Sequence, residues 1–172
     1  MLVLHGTRKF LERVGRPGEQ PAASTTQLGA WYATVLFWRP QVALFVNETT
    51  LLPVLVPLAP ATGVVARFRL VLGDLLAAHG CDRSFIEHEL EEMTHHVLEK
   101  TSNRSVVGVM NQFASLAEYP RASEAAVDLE ALAVNLAGTP CGPLYKTHIT
   151  PDRALAAVVG SDQHDLLRHR KR

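Results

Sequence analysis

Residues 31–47 read WYATVLFWRPQVALFVN, two runs rich in aromatic and β-branched residues, Trp31–Trp38 and Gln41–Asn47, meeting at Arg39-Pro40. Such runs fit a pleated, buried surface, and an Arg-Pro step is a turn signal, so the stretch predicts an antiparallel hairpin. The second run ends in NETT (Asn47–Thr50), residues that favour Asx-type turns. Leu51–Val56 follows as a third strand or a short helical turn, and Pro53 confines any strand there to an edge or a bulge. Upstream, the apolar run Leu2–His5 gives way to Gly6 and Thr7. Phe10, Leu11 and Val14 then recur at helical spacing up to Gly15, which reads as strand, Thr7 N-cap and short helix. Between these blocks RPGEQPAASTT (Arg16–Thr26) carries no apolar periodicity and is expected to be a loop, a candidate mobile segment.

Downstream the periodicity changes. Residues 64, 65, 68, 71, 72, 75 and 76 make a three-four apolar repeat that Gly80 stops, predicting a helix over 61–79. Arg83–Glu92 reads as a shorter acidic helix, and Met93–Lys100 as a strand or an extension of that helix. Asn103–Glu118 and Ser123–Ala137 are further helices, Cys141–His148 (CGPLYKTH) a short extended segment, and Pro151 opens a last helix. Strands collect early and helices late without regular alternation. The expected fold is therefore α+β: one compact domain over 1–160 with a mostly antiparallel sheet covered on one face by several helices, then a polar, basic tail over 161–172.

Composition narrows the function classes. The 172 residues are 47% hydrophobic and 20% charged, enough for one sizeable core. Lys plus Arg and Asp plus Glu both total 17, so the overall field favours neither nucleic acid nor an anionic membrane, and electrostatic specificity has to be local. The one basic run, RHRKR at Arg168–Arg172, reads first as a solubility tail, and as a nucleic-acid arm only in a third reading of the chain as a nuclease-like enzyme. The opening apolar run is too short for a secretory core, and prolines interrupt the later ones before bilayer length. The expectation is a cytoplasmic protein without a membrane role. Cys81 and Cys141 match no metal or redox spacing and are read as buried or idle thiols.

Catalytic motifs are not visible. HELEEMTHH (His88–His96) places Glu92 where the zinc-protease pattern needs its second His, so no metal is expected. There is no Gly-x-Ser-x-Gly, and nothing selects a partner from eight histidines. No cofactor is expected either. What stands out is KTSNRSVVGVMNQF (Lys100–Phe113). On a helical wheel Val106, Val109, Met110, Phe113 and Ala117 form an apolar face, while Arg104, Gly108, Asn111 and Ser115 form an opposite stripe. Gly108 would let a backbone or a ligand approach that stripe closely. GTRK (Gly6–Lys9), at a strand-to-helix junction, could hold an anion with Lys9, although a plain cap with solvated charges explains it as well.

The blocks MLVLHGTRKF, LGAWYATVLFW, ALFVNETTLLPVLVP and KTSNRSVVGVMNQFA resemble, in order, the signature blocks of a bacterial domain family of unknown function, over Met1–Glu118. The resemblance implies a soluble bacterial domain with Thr7, Lys9, Trp31, Asn47, Thr50, Lys100, Thr101, Asn103, Arg104, Ser105 and Asn111 at signature positions, and it implies no activity. Together these features lead to an expected cleft for an anionic ligand, a phosphorylated small molecule or nucleic acid, lined by Thr7, Lys9, Asn47, Lys100, Asn103, Arg104 and Asn111. The alternative is a non-enzymatic interaction or regulatory module with a protein partner. In that case these residues form a structural network, and function lies on an apolar surface near Trp31, Trp38 or LLPVLVP.

Overall fold

The structure is a computed structural model that describes residues 1–123 and 126–169. Strand β1 (Leu2–Gly6) leads to helix α1 (Arg8–Val14), then come β2 (Trp31–Leu36), β3 (Val42–Asn47) and β4 (Pro53–Pro57). A 3-10 turn (Ala61–Gly63) opens α2 (Val64–Ala78), followed by α3 (Arg83–Glu92), β5 (His96–Lys100), α4 (Arg104–Ser123), α5 (Leu129–Ala137) and α6 (Pro151–His169). The α+β class is as expected, and the hairpin pairs Trp31 with Asn47 and Leu36 with Val42, antiparallel. Pro53 opens the edge strand β4, where its missing N–H leaves no gap in the ladder.

The sheet order β4-β3-β2-β1-β5 makes the sheet evenly mixed rather than mostly antiparallel. β1 pairs in parallel with both β2 and β5, while β2–β3 and β3–β4 are antiparallel. A second difference is that the sheet is covered on both faces. Every residue of β2 and β3 is buried. Nearly continuous apolar runs are the mark of strands packed on two sides, whereas a half-solvated strand alternates. On one face Phe45 stacks on Phe68 of α2 at 4.1 Å and meets Phe10 of α1 edge-on at 5.7 Å, with Trp31 against Phe68 at 5.0 Å. The opposite face, which carries Tyr32, Thr34 and Leu44, lies under α4, whose Val106, Val109, Met110 and Phe113 are buried as the wheel predicts.

Two local expectations need correction, and the expected Arg16–Thr26 loop is present. CGPLYKTH is not extended: Gly142–Leu144 is a 3-10 turn, the compact form that Gly-Pro favours. α4 continues to Ser123, and α5 starts only at Leu129, where Asp128 Oδ1 accepts the Ala131 N–H at 3.0 Å. The Arg16–Thr26 loop is tied down along the β5 edge, with Gly18 N–H donating to Leu98 O at 2.8 Å, Ala22 N–H to Glu99 Oε1 at 2.7 Å and Thr25 N–H to Met1 O at 3.0 Å. That binding shields an otherwise open strand edge. Helix α6 extends to His169 through the segment expected as a tail, and residues 170–172 of the basic run lie outside the described residues.

Gly6 is a position the fold dictates. A Cβ there would meet Leu11 and Phe10 side-chain carbons at 2.8–2.9 Å, because α1 folds straight back over the end of β1. Gly6→Ala is expected to cost about 1–2 kcal/mol through overpacking, read as a lower urea midpoint at unchanged slope.

Candidate functional site

β1 and β5 run parallel with Gly6 beside Lys100, so both strands end at the same edge of the sheet. From that edge the chain leaves in opposite directions: after β1 into α1 on the Phe45 face, after β5 into α4 on the Tyr32 face. Parallel neighbours whose following helices diverge leave a crevice outside their carboxyl ends, where α/β sheets tend to bind ligands.

The polar groups around this crevice hold one another in place. His5 stacks on Tyr32 with ring centroids 4.6 Å apart and planes at 28°, because the register sets them side by side on the α4 face. Its Nδ1 lies 3.1 Å from the carbonyl oxygen of Lys100 and 3.6 Å from Glu99 Oε2. A ring nitrogen facing a carbonyl must be the donor, so the neutral ring keeps its proton on Nδ1 and its lone pair on Nε2. Nε2 has no hydrogen-bond partner among the described residues. The Tyr32 hydroxyl accepts the Asn103 N–H at 3.1 Å and lies 3.4 Å from both Glu48 Oε1 and Ser102 Oγ. Asn103 itself caps α4, its Oδ1 accepting from Ser105 N–H at 3.0 Å and Val106 N–H at 3.4 Å. Pro17–Pro21 faces Glu99 and Lys100 across a shallow pocket on the other side of β5.

The expected site residues divide into three groups. Lys100 and Arg104 are exposed at the crevice, and their side chains make no hydrogen bond or ion pair among the described residues. Thr7 and Asn103 are at the crevice too but serve the framework. The Thr7 hydroxyl does not cap α1; it donates to Thr34 Oγ1 at 3.0 Å. The remaining three lie elsewhere. Lys9 turns outward on α1, its Nζ 5.1 Å from the ring centroid of Phe37. Asn47 is fully buried in the NETT turn with both ends of its amide engaged. Asn111 is exposed about 10 Å further along α4. Gly108 is exposed with nothing within 4 Å of an added Cβ, so the stripe does not touch the protein's own backbone. Sequence reasoning missed His5, Tyr32 and Phe37, which read as strand residues. The parallel pairing of β1 with β2, which puts His5 on Tyr32, has no local sequence signature.

Elsewhere the chemistry is quiet. Burial pushes the Cys141 thiol up to about 11, so it stays protonated at neutral pH, and burial raises Cys81 as well. Among the described residues no three His, Cys, Asp or Glu side chains gather as a metal site, and no helix is long and apolar enough to cross a membrane. Trp31, Trp38 and Leu51–Val56 are buried, while Phe37, next to Trp38, is exposed.

Residues 3–154 match the family described as Domain of unknown function (DUF6933), from β1 to the first turn of α6. The chain belongs to this family. No curated protein and no solved structure matches it. The DUF6933 match extends past the Met1–Glu118 blocks to include α5 and the 3-10 turn at Gly142–Leu144. The whole crevice of the DUF6933 domain, from His5 to Arg104, falls within the matched residues.

Proposed function

We propose that this DUF6933 domain binds an anionic, phosphate-bearing ligand at the carboxyl edge of β1 and β5. The observation that carries the reading is the pair of exposed cations, Lys100 and Arg104, left without carboxylate partners among the described residues where two parallel strands send their chains to opposite faces. Arg104 supplies a planar fork suited to phosphate oxygens, and Lys100 a mobile point charge. His5 Nε2, unpartnered beside them, accepts a proton or a hydrogen bond from the ligand. Lys9 and Asn111 stand outside this first contact region, and Asn103 acts by fixing the start of α4.

The experiment is calorimetric titration with inorganic pyrophosphate. Arg104→Ala is expected to weaken binding about tenfold, the scale of one charge-assisted hydrogen-bonding group, and Lys100→Ala by less. Both side chains are exposed, so the variants should keep the wild-type melting temperature. Equal pyrophosphate affinity in wild type and Arg104→Ala, or no binding by wild type, would reject the reading.

A further inference from the structure

The same edge of the sheet continues past β1. β2 runs parallel to β1 with Ala33 beside Gly6, so Phe37, which follows the end of β2, projects from the carboxyl edge beyond the crevice. Phe37 is 59% exposed, unusual for an aromatic ring next to a fully buried strand. Two cations one turn apart on α1 lie over its ring, Lys9 Nζ and Arg13 Cζ each 5.1 Å from the centroid, so a base would stack on the face that they leave open. Arg13 is steadied there by a bond from Nε to Gln41 Oε1 at 3.3 Å and from Nη1 to Lys9 O at 2.9 Å. Neither Lys9 nor Arg13 forms an ion pair among the described residues, and the nearby Glu12 is engaged with Arg8 at 2.8 Å. In a chain whose formal net charge is zero, one edge thus carries Lys9 and Arg13 at an exposed aromatic ring and Lys100 and Arg104 further along.

We propose that the ligand of this edge is single-stranded nucleic acid, its phosphates following Arg104, Lys100, Lys9 and Arg13 and one base stacking on Phe37. The inference rests on the anion-binding reading above and specifies its ligand. Cations spaced along a groove around an exposed aromatic ring form the usual platform for unpaired strands: every base has a π-face, so stacking tolerates sequence, and the cations neutralise the backbone. A ligand that reaches both Lys100 and Phe37 has to be longer than a mononucleotide. Two strand spacings across and four residues along separate Lys100 from Phe37 by on the order of 15 Å, more than one nucleotide spans between phosphate and base. Duplex is disfavoured because its bases already stack on one another and present no free face to Phe37.

Fluorescence anisotropy with labelled oligo(U) and oligo(dT) of about ten nucleotides, within the range of site sizes for such platforms, tests this. Wild type is expected to prefer these single strands to a duplex of the same length. Phe37→Ala should weaken single-strand binding about tenfold, while Phe37→Trp should keep it. Lys9→Ala and Arg104→Ala should each flatten the slope of log affinity against log salt by about 0.7. Unchanged affinity in Phe37→Ala, unchanged slopes, or equal binding of duplex would overturn the proposal. Pyrophosphate binding that depends on Arg104 without any oligonucleotide binding would overturn it too, while leaving the small-anion reading in place. Absence of both would remove both.

Discussion

Glu89→Ala is expected to lower stability by about 2–4 kcal/mol, the loss incurred when buried donors are left without an acceptor. Glu89 is on α3 and has no exposed surface, yet its partners are backbone groups of the chain entering β2. Oε2 accepts the Gln27 N–H at 2.7 Å and the Leu28 N–H at 3.3 Å. Burial pushes its carboxyl up to about 7 against the hydrogen bonds from Gln27 and Leu28 and the charge of His88, with Glu92 adding to the rise. The folded state therefore holds this proton more tightly than the unfolded chain, whose carboxyl titrates near 4.5. Its contribution is full below pH 4.5, declines as pH rises to 7 by up to roughly 3 kcal/mol, and is level above that. Glu89→Gln keeps one acceptor oxygen and cannot ionise. Urea unfolding at pH 5 and pH 8 should show wild type losing stability relative to Glu89→Gln at the higher pH; parallel behaviour would mean that Glu89 does not carry this titration.

Asn47→Ala is expected to cost about 3 kcal/mol or more, and Asn47→Asp nearly as much. The side chain sits with no exposed surface at the end of β3 and makes five hydrogen bonds. Nδ2 donates to Leu28 O at 2.9 Å and Ala30 O at 3.2 Å, while Oδ1 accepts from Thr49 N–H, Thr50 N–H and Thr50 Oγ1. Asp preserves the acceptor half but turns an oxygen toward two carbonyl oxygens, replacing attraction with repulsion. The turn also holds Leu51 at φ 59°, a left-handed conformation that a branched residue adopts only under outside constraint. Thermal unfolding is the measurement, and an Asp variant close to wild type would contradict this assignment of the amide. Glu89 and Asn47 grip opposite groups of the same segment, the N–H and the C=O of Leu28, so their losses are expected to couple in a double-mutant cycle.

How much of this was legible beforehand varies with the range of the interaction. The hairpin over 31–47, the edge position forced by Pro53 and the buried face of α4 follow from periodicity and backbone chemistry within a few residues, and the structure has all three. Insertion of β1 between β2 and β5 is set by which strands find each other across long loops, and local pattern does not encode it. The mixed sheet and the cover on both faces follow from that insertion, although the unbroken apolar runs of β2 and β3 already pointed to two packed faces. The candidate site divides the same way. Lys100 and Arg104 stood out as polar residues next to a predicted helix start, while His5 and Tyr32 acquire a role only through the register that stacks them. Asn47 looked like a ligand contact because a polar residue at a strand end lines either a cleft or a turn, and burial assigns it to the turn.

The most direct test of the carboxyl-edge reading is a backbone amide NMR titration of the wild-type domain with pyrophosphate. The predicted result is a saturable set of shifts confined to residues 5–8 and 99–105, where β1 and β5 end and α1 and α4 begin, with the set lost in Arg104→Ala. Saturable shifts centred elsewhere, or no saturable shifts at these amides, would contradict the account.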